Sequence, residues 1–320
     1  MQTDSFAKAE HLQLNALETR CGLLDWEKST IVRHSGPDAL DLLDRLTTKS
    51  LDSLGLYNAQ RTVLTTAAGR VIDTFLVARV ADIDLLLISD SRVPDKIISA
   101  INYYTIVEDA AMTDHSMSLT RLSLIGPKSR QVLQKIWDLD LEKGLLATVK
   151  YGENEVTIIS DDSRKVDWVD LIVDPLSSKK LRSELLKKGA VAISADHFEH
   201  FRINFSIPGA DAEYGEHSNP IEAGLLSLID FDKGCYVGQE VIARLDTYNK
   251  VQRDLRVLTS AEPLNERSKL ISGSSTAGIV TSVSHLETPE GNFVSLALVR
   301  KAYLASGTEL NADGIAVAVK

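Results

Sequence analysis

Cysteine is nearly missing: the 320 residues hold two, Cys21 and Cys235. So wide a separation makes neither a disulfide framework nor a zinc site, and fits a reduced, cytoplasmic setting. Long apolar runs are missing too. No stretch approaches the ~20 residues that a spanning helix needs, so no membrane association is expected. The polar run from Met1 to Arg20 lacks the apolar segment of a bacterial secretory signal. A basic surplus is absent, since 35 Lys and Arg face 45 Asp and Glu for a net charge of -10. A duplex nucleic-acid binder would need a basic stripe, so direct nucleic-acid binding is not expected. There is no Walker loop, no dinucleotide fingerprint and no serine nucleophile elbow. The seven histidines are scattered. His197 and His200, beside Asp196 and Glu199 on an expected helix, lack a third ligand and read as a solvated face rather than a metal pair. No metal site is expected.

What is present is ordinary globular material: 44% hydrophobic and 25% charged residues, with enough chain for two or three domains. Residues 8–20 are expected to form a short helix on Leu12, Leu14 and Leu17, loosely attached as an arm. Thr30 to Arg33 reads as a strand ending at Gly36-Pro37. Pro37 then suits the first position of a helix with an apolar stripe on Leu40, Leu43 and Leu46. Val63 to Thr66 and Val71 to Val80 read as strands joined at Ala67-Ala68-Gly69, and Leu85 to Ile88 as a buried strand before a helix on Val93, Ile97, Ile98 and Ile101. Tyr103 and Tyr104 close that helix and are expected to pack.

The order then echoes itself. Leu122 to Pro127 repeats the strand ending in Gly-Pro, and Val132, Leu133 and Ile136 match Leu42, Leu43 and Leu46 at an offset of ninety residues. Asp170 to Val173 parallels Asp84 to Leu87, and a helix from Ser177 or Ser178 to Lys188 stops at Gly189. Ala195 to Phe205 reads as a helix broken by Ile207-Pro208-Gly209. So long a period points to two related α+β units rather than to a solenoid, and two units of that kind could share a cleft. From Asp254 the texture becomes short β-rich runs (255–258, 277–283, 293–299, 315–319) between turn residues, which reads as a small barrel.

One stretch carries chemistry: Lys233-Gly234-Cys235-Tyr236-Val237-Gly238-Gln239-Glu240. Glycines on both sides of Cys235 let the backbone turn tightly and leave the thiol approachable. A helix opening at Gly238 or Gln239 would face its free amides back to the loop, and Lys233 and Arg244 add cations, all of which favour thiolate. The alternative is a small buried hydrophobe. Cys21, beside Gly22, has no such surroundings and reads as incidental.

That stretch, together with Phe201-Arg202-Ile203, Ile207-Pro208-Gly209 and Asn219 to Leu225, resembles the YgfZ-type folate-binding proteins. These are relatives of the glycine-cleavage T-protein, an aminomethyltransferase, and the likeness runs from about Gly22 to the C-terminus. It implies an α+β fold of two related, intertwined ferredoxin-like units forming a folate-binding cleft, then a C-terminal β-barrel. The boundaries expected are an arm over 1–27, a first unit over 28–115, a second over 116–248 and the barrel over 249–320. Cys235 would be the functional thiol, with Lys233, Gln239 and Glu240 around it.

The resemblance also implies folate contacts. T-proteins carry two successive acids where this chain has Asp73 and Thr74, and the second acid stands by the reactive nitrogen of tetrahydrofolate. Threonine supplies no carboxylate there, which speaks against aminomethyl transfer. Asp73 should point to the other face of its strand. Asp90, sixteen residues on, falls where T-proteins place a pterin-binding asparagine, with helix capping as the alternative. Ile88 would line the same wall, and Arg202 would meet the glutamyl tail, with a surface salt bridge as the alternative. Glu222 reads as structural. The resemblance thus implies a tetrahydrofolate-binding accessory protein for iron–sulfur cluster assembly or repair, supporting iron–sulfur enzymes such as tRNA-modifying radical enzymes. Its partners would be folate and iron–sulfur proteins or their assembly factors, with a cluster held transiently at most. The alternatives are a folate-dependent aminomethyltransferase and a pure interaction module.

Overall fold

The structure, a computed structural model, describes residues 12–320. The start of the expected first helix, at residues 8–11, lies outside them. The chain is α+β and forms two compact units. The first takes the chain up to Leu64, residues 73–195 and residues 232–236, and the second takes 65–72, 196–231 and 237–320.

In the first unit, helix α1 (residues 12–19) leads to β1 (Gly22–Asp25). A first series follows: β2 (Thr30–Ser35), α2 (Ala39–Leu46), β3 (Ala59–Thr65), β4 (Val71–Ala81), β5 (Asp84–Ser89), α3 (Pro94–Asn102) and β6 (Ala111–Asp114). The same series then returns as β7 (Thr120–Ile125), α4 (Ser129–Trp137), β8 (Leu146–Tyr151), β9 (Asn154–Asp161), β10 (Trp168–Val173), α5 (Pro175–Lys187) and β11 (Val191–Ile193). The sheets run β3-β4-β5-β2-β6 and β8-β9-β10-β7-β1-β11. Corresponding strands therefore hold corresponding places, except that β1 stands beside β7 where β6 stands beside β2. The chain completes its second sheet with a strand made before the first sheet begins, which is the intertwining expected of the fold.

Packing explains why the echo was audible. Gly36 and Gly126 both have positive φ, +137° and +114°, and a side chain at Gly36 would lie 2.0 Å from the backbone oxygen of Asp109. No other residue fits there. Ile31, Leu76, Ala78, Leu86 and Ile88 of the first sheet pack on Leu146, Ile159 and Ile172 of the second. On its other face the second sheet buries Leu23, Leu124 and Leu171 against Val132, Leu133, Leu181 and Leu185 of α4 and α5. At roughly 1.5–3 kcal/mol for each fully buried aliphatic side chain, these two layers are the main stabilising feature of the unit.

Three expectations are corrected here. Helix α2 starts at Ala39 with Asp38 as its N-cap, and it buries Ala39, Leu42, Leu43 and Leu46; Pro37 precedes the cap. Helix α5 starts earlier than read, at Pro175, because the Asp174 carboxylate accepts from the amides of Leu176 and Ser177. The N-terminal helix is not a loose arm: Ala16 and Leu17 are buried, and a Cβ on Gly22 would lie 2.6 Å from Leu17 Cδ2.

The second unit holds α6 (Ala195–Asn204), α7 (Gln239–Thr247) and six strands: β12 (Arg253–Ser260), β13 (Lys269–Ser272), β14 (Ser275–Glu287), β15 (Phe293–Arg300), β16 (Leu310–Ala312) and β17 (Ile315–Val319). They close as a barrel in the order β12-β15-β14-β13-β16-β17 around Leu258, Leu270, Val280, Ala297, Val299 and Leu310. Register shifts within β14 let that long strand bend round the closed sheet. The short β13 and β16 had no signal of their own in the sequence. Among the described residues no helix is long and apolar enough to cross a membrane.

Candidate functional site

Cys235 is exposed, on an irregular loop in the short segment 232–236 of the first unit. What fixes the loop is Lys233. Its Nζ donates to the backbone oxygens of Asp44 (2.6 Å), Lys49 (2.8 Å) and Thr47 (3.0 Å) and to Asp44 Oδ1 (3.0 Å), with the side chain only 2% exposed. A cation closing the carbonyls in the last turn of α2 and just beyond it is favoured by the helix dipole and by charge-assisted bonding. The Lys233 expected beside the thiol has its ammonium among backbone and carboxylate oxygens, so its part is to tether the loop. Tyr236, buried, lies with its ring 5.6 Å from the same ammonium.

Downstream, in the second unit, the motif becomes a helix start as expected. Gly238 caps α7 at φ +86°. A Cβ there would stand 2.5 Å from the backbone oxygen of Thr66 and 3.0 Å from Thr65 Oγ1, so glycine is required. Thr65 Oγ1 donates to the Val237 oxygen at 2.6 Å. Gln239 opens the helix and is half-buried, whereas Glu240, in its first turn, is exposed. Glu222 proves structural: both its oxygens accept from Arg253 and Arg70 lies 4.0 Å away.

On β4, Thr74 is 3% and Asp73 is 1% exposed. They point to opposite faces. Thr74 shares a face with Leu76, which pairs with Ile88 of β5, whereas Asp73 Oδ1 accepts from Ser89 Oγ (2.9 Å) and from the Thr74 amide (2.7 Å). Asp73 Oδ2, equally buried, has no hydrogen-bond partner among the described residues. Burial pushes this carboxyl up to about 7, with only partial relief from Ser89 and the Thr74 amide. Ile88 is fully buried on that face, in the core between the two sheets.

Asp90 does not cap α3, whose N-cap is Val93. Its Oδ1 accepts from Arg121 Nη1 (2.8 Å) and Arg164 Nη2 (3.0 Å), and its Oδ2 accepts from Arg164 Nη2 (2.7 Å). These pairs belong to an alternating chain of charges, Arg61–Asp161–Arg164–Asp90–Arg121–Asp170, built from both sheets. Arg121 stacks 4.2 Å over Trp26 and Arg164 4.4 Å over Trp168. Burial alone would raise the Asp90 carboxyl, but the guanidiniums of Arg164 and Arg121 overcome it and hold it far below the carboxylate range. Asp161, buried between Arg61 and Arg164, is held down to about 2.

Sequence reading missed this network. Its signal was Asp170, a carboxylate inside the otherwise apolar run Trp168–Val173. A charge at the centre of a buried strand has to be paired. Two polar groups near it keep unused capacity: Arg61 Nη1 is buried without a partner among the described residues, and Asp90 Oδ2 accepts one bond where a carboxylate oxygen can take two.

Arg202 is corrected as well. In the second unit it is 7% exposed and all its five N–H donors are engaged: Nε with Glu199 (2.7 Å), Nη1 with Glu213 (2.9 Å) and the Ile207 oxygen (3.3 Å), Nη2 with Glu199 and Ser282 (2.6 Å). It is neither a surface ion pair nor a guanidinium open to a folate tail. His197 and His200 are buried rather than solvated, His200 Nδ1 lies 2.8 Å from Ser284 Oγ, and no group able to hold a metal occurs among the described residues. Tyr103 is largely exposed and meets Tyr104 edge-on at 5.0 Å. Cys21 is buried, and burial pushes its thiol up to about 11.

Comparison with known proteins agrees with this architecture. The fold superposes on the crystal structure of the glycine cleavage system aminomethyltransferase T from Bartonella henselae with a TM-score of 0.81 over 97% of this chain and 87% of that one, at 17% identity. The sequence is 27% identical over 303 residues to a chloroplastic protein of Arabidopsis thaliana whose name describes it as a transferase, covering 92% of this chain and 68% of that protein. It is 26% identical over 293 residues to the aminomethyltransferase of Koribacter versatilis, covering 87% and 75%. The family model described as the GCVT N-terminal domain matches residues 2–233, and the chain belongs to that family.

Proposed function

We propose that this chain is a YgfZ-type member of its family: a cytoplasmic tetrahydrofolate-binding accessory protein that supports iron–sulfur cluster assembly or repair, and through it iron–sulfur enzymes such as those that modify tRNA. Cys235 is its working thiol. The observation that carries the reading is an exposed thiol on a loop whose neighbouring lysine is locked into four oxygens, in a chain with threonine where aminomethyl transfer needs a carboxylate. A floppy surface cysteine would need no such anchor.

Residues of the first unit would hold a pterin through their unused hydrogen-bond capacity. Its amino group and ring N–H need an acceptor, which the ionised Asp90 offers through its remaining capacity. Its carbonyl needs a donor, which Arg61 Nη1 can supply. Thr74 contributes a hydroxyl without charge. The folate would supply a one-carbon carrier, while the chain's residues would bind and orient it. A single thiol cannot by itself hold a cluster that ordinarily takes four ligands, so a client or a small thiol would complete any transient cluster.

The test is complementation. In a strain lacking this protein, the wild-type chain should restore iron–sulfur enzyme activity and Cys235→Ser should not. Full rescue by Cys235→Ser would remove the thiol from the account.

A second reading, a folate-dependent aminomethyltransferase, is favoured by one feature: Asp73 is a buried carboxyl, pushed up to about 7 by that burial, one residue before Thr74. It points to the other face of the strand, so an assay for methylene transfer with tetrahydrofolate should show no turnover.

A further inference from the structure

The turn that carries Asp90 hangs from Asp73. Ser89 Oγ donates to Asp73 Oδ1 at 2.9 Å and accepts the Ser91 amide at 3.0 Å. The Ser89 backbone oxygen accepts from Ser29 Oγ at 2.8 Å, and the Ser91 backbone oxygen accepts the Thr30 amide at 2.9 Å. Asp90 thus leaves a turn held on one side by Ser29 and Thr30 and on the other by the Phe75–Ser89 strand pairing and one carboxylate oxygen of β4, while its own carboxylate is held by Arg121 and Arg164. The second oxygen of the Asp73 carboxylate is buried and unpartnered among the described residues. A buried polar atom with no partner is rare in a folded protein and marks a place where a proton or a water decides the energetics.

We infer that Asp73 is a positioning residue for Asp90, and that the proton it carries governs how firmly the Ser89–Ser91 turn presents Asp90 to a folate-type ligand. This rests on the folate reading above and adds its regulation. With Asp73 neutral, Oδ1 keeps both of its bonds and no second anion stands near Asp90. With Asp73 ionised, a desolvated charge has one oxygen without a donor and must draw water into the strand end. The charged groups that bear on it are Asp90 on the turn, which favours the proton, and Lys96 on α3, which favours the anion. Burial outweighs the lysine, and the balance falls near neutrality.

The experiment is titration of the full chain with tetrahydrofolate under anaerobic, reducing conditions across neutrality. The wild type should bind more weakly as pH rises, by up to about tenfold per unit above the midpoint. Asp73→Asn, which keeps an acceptor for Ser89 and cannot ionise, should hold the acid-side affinity at every pH. Asp73→Ala should be weaker and flat. A wild-type profile that is flat, or one that survives in Asp73→Asn, would overturn the inference.

Should the wild type bind no tetrahydrofolate at any pH, the folate reading falls, and the latch is judged without ligand. The protection of the Ser91 amide against hydrogen exchange should then drop through neutrality in the wild type and stay constant in Asp73→Asn. Equal behaviour of the two proteins would overturn the latch as well.

Discussion

Lys233 Nζ lies 2.6 Å from the backbone oxygen of Asp44 and 3.0 Å from its Oδ1. The two residues are 189 positions apart, so this bond staples the cysteine loop to the end of α2. Lys233→Met keeps the apolar stem and removes the charge, taking their ammonium from three carbonyls and leaving the Asp44 carboxylate oxygen only the Leu51 amide. It should cost about 2–4 kcal/mol in urea denaturation. A loss below about 0.5 kcal/mol would show that the staple adds nothing.

The two glycines of the motif should behave differently. Gly238→Ala drives a Cβ to within 2.5 Å of a backbone oxygen at φ +86° and should destabilise by about 1–3 kcal/mol. Gly234 has nothing within 4 Å of the same position. Gly234→Ala should therefore change stability by under about 0.5 kcal/mol. Equal effects in the same denaturation assay would refute the close approach at Gly238.

The charge chain predicts an acid limb. Asp161 is held down to about 2, below the roughly 3.9 of an unfolded aspartate. Its contribution is therefore complete above about 4 and is lost as pH falls toward 2, because the unfolded chain takes up the proton first. The wild type should lose stability over that window, on the order of 2 kcal/mol from this group. Asp161→Asn should be less stable at neutral pH by about 3–5 kcal/mol, and flatter over the same window. Thermal melts across the acid range read both.

The two thiols should separate cleanly. Cys235 is exposed, whereas Cys21 is 1% exposed with its thiol pushed up to about 11. One equivalent of an aromatic disulfide reagent should react in the native protein and the second only on unfolding. Native labelling of Cys235→Ser at the wild-type rate would contradict the assignment.

What could be read from the sequence follows the range of the physics. The two Gly-Pro strand ends announced the repeat because Gly36 and Gly126 face backbone that excludes a side chain, a local constraint written in single residues. The helix start at Gly238 was legible for the same reason. The placement of β1 in the second sheet was not, since nothing local to Gly22–Asp25 records a partner a hundred residues away. The same holds for Lys233, which reads as a cation near a thiol until the carbonyls in the last turn of α2 and just beyond it are brought to it. Arg202 read as an open guanidinium because its burial depends on the fold: Glu199 is only three residues away, but Ser282 reaches it from eighty residues on.

The most direct measurement is calorimetric titration of the reduced chain with tetrahydrofolate, alongside Cys235→Ser and Asp90→Asn variants shown to be folded. Saturable binding that is unchanged in Cys235→Ser and weakened in Asp90→Asn is the predicted result, with ligand and thiol as separate functions of one protein. A folded wild type that gives no binding heat up to millimolar folate would contradict the account and leave Cys235 as a thiol serving some other chemistry.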